Sequence, residues 1–175
     1  MAENLNYETA NSYCYNNDVS NCIKYGRLYT WAAAMDSAGT WSTNGKGCGN
    51  DQTCSPKYPV RGVCPSGWHL PDSTEWNTLF SAVGGRFVAG AKLKSTSGWF
   101  KKGNGTDDYA FTALPVGICD DNGRFGYEVL HARFWSSTED FSYHAYYAYL
   151  SYDVDSTNVR YFYKNYRYSV RCVKD

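Results

Sequence analysis

Apolar positions recur at helical spacing in two early stretches of the chain. Between Gly26 and Ala38, the residues Leu28, Trp31, Ala32 and Met35 share one side of a 3.6-residue turn, which predicts a helix over that span. A second helix carries more signals. Asp72 and Ser73 are N-cap residue types after Pro71, and Glu75 follows Asp72 by three residues as a capping box requires. Trp76, Leu79, Phe80 and Val83 then form one face before Gly84-Gly85 stops the turn. From about residue 91 the pattern becomes that of strands. Lys92 to Lys94, Tyr109 to Leu114, Ala132 to Ser136, His144 to Tyr152, Val159 to Tyr163 and Ser169 to Val173 read as strands, with a turn at Asp121-Asn122-Gly123. Helices first and strands after predict an α+β fold with an antiparallel sheet. No linker or low-complexity break divides residues 1–175, which read as one domain.

Composition changes this picture at one place. Of 17 tyrosines, nine lie between residues 143 and 168, at 143, 146, 147, 149, 152, 161, 163, 166 and 168. Alternation along a strand puts Tyr147 and Tyr149 on one face and Tyr146, Leu150 and Tyr152 on the other, while Tyr161 and Tyr163 oppose Arg160, Phe162 and Lys164. A sheet buried on one face cannot hide both sets. Tyr143, His144, Tyr146, Tyr147, Tyr149, Tyr152, Tyr161, Tyr163 and Tyr166 are therefore candidate ligand-binding residues, with Asn158, Asn165 and Arg167 beside them. Tyrosine gives a large contact area with few rotors and a hydroxyl handle, which suits a binding surface. The competing reading is a set of cross-strand aromatic ladders that only stabilise the sheet.

Charge and cysteine narrow the setting. With 17 basic and 17 acidic residues the chain has no field to steer a polyanion, so no nucleic-acid partner is expected. No run of eighteen apolar residues exists, so direct membrane insertion is not expected either. Seven cysteines are ordinary for a secreted domain, and an extracellular or cell-surface location follows. Cys14 with Cys22 and Cys48 with Cys54 enclose short loops rich in turn formers that could close locally, and three pairs would leave one thiol over. Zinc-type spacings are absent, so no metal and no cofactor are expected. The stretch from Asp153 to Thr157 imitates the start of a calcium loop, but Asn158 and Lys164 stand where Gly and Glu are needed, and it reads as a polar hairpin. Asn104-Gly105-Thr106 is a glycosylation sequon read here as a turn. Met1 to Asn4 opens no signal sequence, so any export signal lies elsewhere or has been removed.

Five words in order carry a family resemblance: Ala2 to Tyr7 (AENLNY), Gly26 to Trp31 (GRLYTW), Cys64 to Pro71 (CPSGWHLP), Trp135 to Glu139 (WSSTE) and Ser169 to Val173 (SVRCV). Together they resemble the Fibrobacter succinogenes major paralogous domain family, over nearly the whole chain. The resemblance implies a bacterial, exported protein and a C-type-lectin-like fold, with two helices, small antiparallel sheets, long loops and both chain ends in one small sheet. It also implies a disulfide between Cys64 and Cys172, leaving Cys119 as the free thiol at a position where the family does not usually carry cysteine. Family members usually enter the first word from an upstream strand, so Met1 reads as an internal residue of a longer protein.

Catalysis finds no obvious owner. Glu75 reads as a cap, Asp107-Asp108 and Asp120-Asp121 as turn formers, Glu139 as a strand end and His69 as a hydrogen-bonded core histidine. The oxidative enzymes that share the C-type-lectin-like fold use a cysteine pair near the C-terminus, where this chain has only Cys172, so no enzyme is expected. The calcium-binding sugar words of C-type lectins are absent. Two kinds of partner suit the tyrosines: a polysaccharide, by ring stacking, or a surface protein. For the second, the stretch Phe141 to Tyr168 resembles the regions that retroelements diversify through adenine mutation. Self-association into a surface filament is the structural alternative.

Overall fold

The computed structural model describes residues 1–175. Along the chain run β1 (Ser12–Tyr13), a 3-10 turn (Tyr15–Asn17), α1 (Val19–Tyr25), β2 (Leu28–Thr30), α2 (Trp31–Ala34), β3 (Trp68–His69), α3 (Ser73–Ala82) and α4 (Arg86–Leu93). Then follow β4 (Ile118–Cys119), β5 (Phe125–Gly126), β6 (His131–Phe141), β7 (His144–Ser151), β8 (Asn158–Tyr163), β9 (Arg167–Ser169) and β10 (Val173–Lys174). The main sheet has the order β1-β2-β9-β6-β7-β8, with the β4–β5 hairpin attached to β9, and β10 pairs with β3 in a second, two-stranded sheet. Every pairing between these strands is antiparallel except that of β6 with β9. The class is α+β.

The helix at Ser73–Ala82 forms as its sequence dictates. Asp72 Oδ1 accepts from the Glu75 backbone N–H at 2.8 Å, and the Asp72 N–H donates back to Glu75 Oε2 at 2.9 Å. Two backbone donors at the helix start are thereby satisfied reciprocally. The Trp-Ser-Ser-Thr word lies against this helix start. The ladder between β6 and β7 is irregular after Trp135, which frees the Ser137 N–H to donate to Pro71 O at 2.9 Å, while the Ser73 N–H donates to Thr138 Oγ1 at 2.9 Å.

Four sequence expectations are corrected. Gly26 to Ala38 is not one helix: Leu28–Thr30 is strand β2, and only Trp31–Ala34 turns helically. Tyr29 is held between Ser12 on one side and Tyr168 on the other, and two flanking ladders outweigh a helical apolar spacing. The helical turn of that region lies earlier, in α1, capped by Asp18 and ended by Gly26 at φ 75. A side chain at Gly26 would stand 2.8 Å from the Asn4 Cβ, so the position needs glycine on both counts. Lys92 to Lys94 closes α4 rather than forming a strand. Tyr109 to Leu114 forms no strand beyond a single bridge of Ala113 to Lys94, and its start turns around Asp107, whose carboxylate accepts from the Thr112 N–H and hydroxyl, both at 2.6 Å. Ser169 to Val173 breaks between β9 and β10 instead of running through.

The two chain ends meet, but not in one small sheet as expected: β1 belongs to the main sheet and β10 pairs with β3. The Leu5 N–H donates to Val170 O at 2.9 Å, and the buried Arg171 guanidinium donates to Asn4 Oδ1 at 2.6 Å and to the carbonyls of Met1, Phe111 and Thr112. Three disulfides form, Cys14–Cys22, Cys48–Cys54 and Cys64–Cys172, and Cys119 is a buried free thiol. The last bridge spans 108 residues. Loop-closure entropy assigns a bridge of that reach about 5 kcal/mol.

Both faces of the long β6–β7 pair are buried, against the expectation that one face would be open. One face carries Trp135, Tyr147 and Tyr168 into a core that includes Trp31, Leu70 and the Cys64–Cys172 bridge. The other carries Phe134, Ala148 and Leu150 beneath Trp76 and Phe80 of α3. Polar groups tie the faces down: Trp135 Nε1 donates to Tyr29 O at 2.7 Å and Trp31 Nε1 to Ser136 O at 2.8 Å.

Candidate functional site

The β7–β8 hairpin sets the position of the tyrosines. In its ladder His144 stands opposite Tyr163 and Tyr146 opposite Tyr161, so these four side chains share the face that carries Ala148 and Leu150 further along. Beyond the cover of α3 the rings reach the surface. Tyr161 is 54%, Tyr143 46% and Tyr163 45% exposed. His144 lies among them, with its ring centroid 4.8 Å from Tyr143, 5.7 Å from Tyr161 and 4.6 Å from Tyr163. Tyr143 and Tyr163 stack at 28° with centroids 6.3 Å apart, and Tyr146 meets Tyr161 edge-on at 5.9 Å. The platform is anchored from below: the Tyr146 hydroxyl donates to Asp140 Oδ1 at 3.0 Å, and His144 Nδ1 lies 3.9 Å from Asp140 Oδ2.

The remaining candidates lie elsewhere. Tyr147 is a core residue, 4% exposed and packed against Trp135 and Tyr168, so it does not reach a ligand. Tyr152 is half-buried against Phe100 at 5.5 Å. Tyr149 is on the opposite sheet face, half-buried, with the Arg160 guanidinium 4.2 Å from its ring centroid. Tyr166, also half-buried, stacks edge-on against Phe162 at 4.8 Å and follows Tyr163 at 6.4 Å. The tyrosine-rich stretch thus splits into a surface platform, a core layer and a second cluster on the far face.

That far cluster contains residues that the sequence pattern did not single out: Tyr127, His131, Arg133 and Phe162. Arg133 stands opposite Tyr149 in the β6–β7 ladder, and its guanidinium lies between 5.4 and 5.7 Å from the ring centroids of Tyr127, Tyr147, Tyr149 and Tyr168. His131 is layered on Tyr127, with centroids 4.8 Å apart. Burial, followed by the charge of Arg133, pulls the His131 imidazole down to about 4, so it is neutral at neutral pH. The one advance signal was that Arg133 sits two residues before Trp135 and so shares its face.

Groups of catalytic type are engaged in structure. His69 Nδ1 bonds Asp175 Oδ1 at 2.7 Å and Nε2 bonds Glu75 Oε1 at 2.8 Å, joining the last strand to α3. Burial opposes a charge on this imidazole, but the two carboxylates outweigh it and its pKa is raised. Cys119 receives an Arg167 N–H at 3.1 Å, and burial raises its thiol pKa against that cation. At the Asp153 loop the converging carbonyls of Ser151 and Val154 are taken by the Lys94 ammonium at 3.1 Å each. No three His, Cys, Asp or Glu side chains converge as a metal site, and no helix is long and apolar enough to cross a membrane.

A search of the curated proteins and of the solved structures returns no match. The model of the Fibrobacter succinogenes major domain matches residues 1–174, and the chain belongs to that family.

Proposed function

We propose that this chain is a binding domain of an exported bacterial surface protein, that it has a C-type-lectin-like fold, and that it holds a polysaccharide on the ring platform of Tyr143, His144, Tyr146, Tyr161 and Tyr163. The observation that carries the reading is the exposure of Tyr143, Tyr161 and Tyr163 as adjoining rings on one strand pair. Rings of this kind stack on sugar faces and offer hydroxyls to sugar hydroxyls at small entropic cost. Joined chain ends, long loops and the Cys64–Cys172 bridge support the fold reading, and three disulfides support an extracellular or cell-surface location. The reading requires no catalytic residue, cofactor, metal or nucleic acid.

A surface protein is the second candidate ligand. Tyr143, Asp153, Asp155, Tyr161 and Tyr163 are exposed on the hairpin and are residue types that adenine mutation of Asn codons reaches, alongside the exposed Val154 and Arg160, which it does not reach, whereas the flanking Trp135 and Ser169 are fully buried. A diversified surface on an unchanging frame would look like this. A glycan and surface-protein array probed with the oxidised domain separates the two. Retention on glycans that disappears in Tyr143→Ala/Tyr161→Ala/Tyr163→Ala, with melting temperature preserved, supports the polysaccharide. Retention on proteins alone moves the ligand class. A filament subunit would instead show concentration-dependent mass under native conditions.

A further inference from the structure

The sheet face opposite the ring platform holds a cation that the protein does not neutralise. The Arg133 guanidinium donates one hydrogen bond to a protein acceptor, from Nη1 to Tyr168 Oη at 3.1 Å, and its Nε is buried with no acceptor at all. A guanidinium carries five N–H donors and a permanent charge, and a half-buried one ordinarily meets a carboxylate. None of the ion pairs of this protein involves Arg133. The four surrounding tyrosine rings soften the charge but do not balance it.

Arg133 lines a cavity of about 270 Å³ together with Arg124, Tyr127, Phe162, Tyr166 and Asp120. Asp120, the one carboxylate among the lining residues, is turned to its own loop, where Oδ1 accepts from the backbone N–H groups of Asn122 and Arg124 at 2.9 and 2.8 Å. What is left open to a ligand is a cationic floor between aromatic walls, slightly smaller than the usual range for drug-sized ligands and of a size for a single ring. A planar guanidinium fork matches a carboxylate, and flat rings match a pyranose face.

We propose that this groove receives the carboxylate-bearing ring of an acidic sugar, a uronate residue of a polysaccharide, with Arg133 taking the carboxylate and Tyr127 and Tyr166 flanking the ring. The assignment rests on reading the domain as a polysaccharide binder, and it adds a second contact on the other face of the sheet that selects charged chains over neutral ones.

The test is isothermal titration of the oxidised domain with tetragalacturonate and with cellotetraose. Arg133→Gln and Tyr127→Ala should each weaken tetragalacturonate binding at least tenfold, and Arg133→Lys should weaken it less because it keeps the charge but loses the fork. Added sodium chloride should weaken the acidic sugar and not the neutral one. Tyr127 is 51% exposed, so its variant reports on the groove even if Arg133→Gln fails to fold. Undiminished binding in both variants, or no binding of tetragalacturonate by the wild type, overturns the groove while retention of neutral glycans keeps the platform. Loss of both sugars in the wild type removes the platform as well. Inorganic sulfate that competes as strongly as the sugar acid overturns the sugar assignment.

Discussion

Lys164 and Glu139 form an ion pair beneath the β7–β8 hairpin, with the lysine side chain fully enclosed and the glutamate 13% exposed. The same ammonium donates to the carbonyls of Gly49, Gln52 and Ser142, and it lies 4.5 Å from the Trp31 ring centroid. Glu139 in turn accepts from the Cys54 N–H at 3.1 Å. One pair therefore joins the Cys48–Cys54 loop to the hairpin that carries the platform. Glu139→Ala leaves a buried ammonium without its counter-ion, and a cost of about 3–5 kcal/mol is expected by urea denaturation. Glu139→Leu combined with Lys164→Met should cost less than Glu139→Ala alone, because no charge is then stranded. A single-variant cost under about 1 kcal/mol would show that the pair does not organise the hairpin.

The division of the tyrosines between core and surface gives a second test. Tyr147→Ala removes a buried ring and should cost about 3–5 kcal/mol, as other large aromatic truncations do. Tyr161→Ala and Tyr163→Ala remove rings with half their surface in water and should each stay within about 0.5 kcal/mol. Melting curves of the three variants decide it, and similar losses for all three would return the platform to the fold.

Removal of disulfides should follow loop length. Cys64→Ser/Cys172→Ser opens the longest loop, and about 5 kcal/mol of chain entropy returns to the unfolded state. Cys14→Ser/Cys22→Ser opens a loop with a sequence separation of 8, for which the same relation gives about 2.5 kcal/mol. Guanidinium titrations of the two double variants should keep that order.

The two perturbed histidines should make stability respond to pH with opposite signs. His131 titrates at about 4 in the folded chain, below its ordinary value of 6.5, so between those two values the unfolded chain binds more protons. Its contribution is complete above 6.5 and is lost as the pH falls towards 4. His69 is shifted upward, so the folded chain holds the extra proton. That contribution is complete below 6.5 and is lost as the pH rises through the folded value. NMR titration of the imidazole signals checks both directions, and removal of the Asp175 carboxylate by Asp175→Asn should move His69 back down and leave His131 unchanged.

Much of this architecture is legible in the sequence. The capping box at Asp72 and Glu75 is local chemistry and forms as written, the strand words at 132–136 and 159–163 fall inside β6 and β8, and the word at 144–152 overruns β7, which ends at Ser151, by one residue. The errors fall where distant partners decide. Leu28, Trp31, Ala32 and Met35 fit a helix by spacing, but Leu28 to Thr30 pair with Arg167 to Ser169, far along the chain. Tyr147 could not be told from Tyr149 by alternation, since both point to the same face and only the packing of Trp135 and Tyr168 encloses one of them. Arg133 was invisible for a related reason. Its setting is made by Tyr127, Tyr149 and Tyr168, which come from three different segments.

The bridge between Cys64 and Cys172 has a mechanical consequence. Tension applied through the two ends of this fold meets them side by side, with Met1 N 2.8 Å from Cys172 O. Tension can strip the N-terminal segment as far as Cys64, and there it passes through a covalent bond directly to Cys172. Everything between those cysteines, including α3, the β6–β7–β8 strands and the whole ring platform, is left outside the line of force. In a pulling experiment the released length should stop at residue 63 while the disulfide is intact and extend through residues 65–171 once it is reduced.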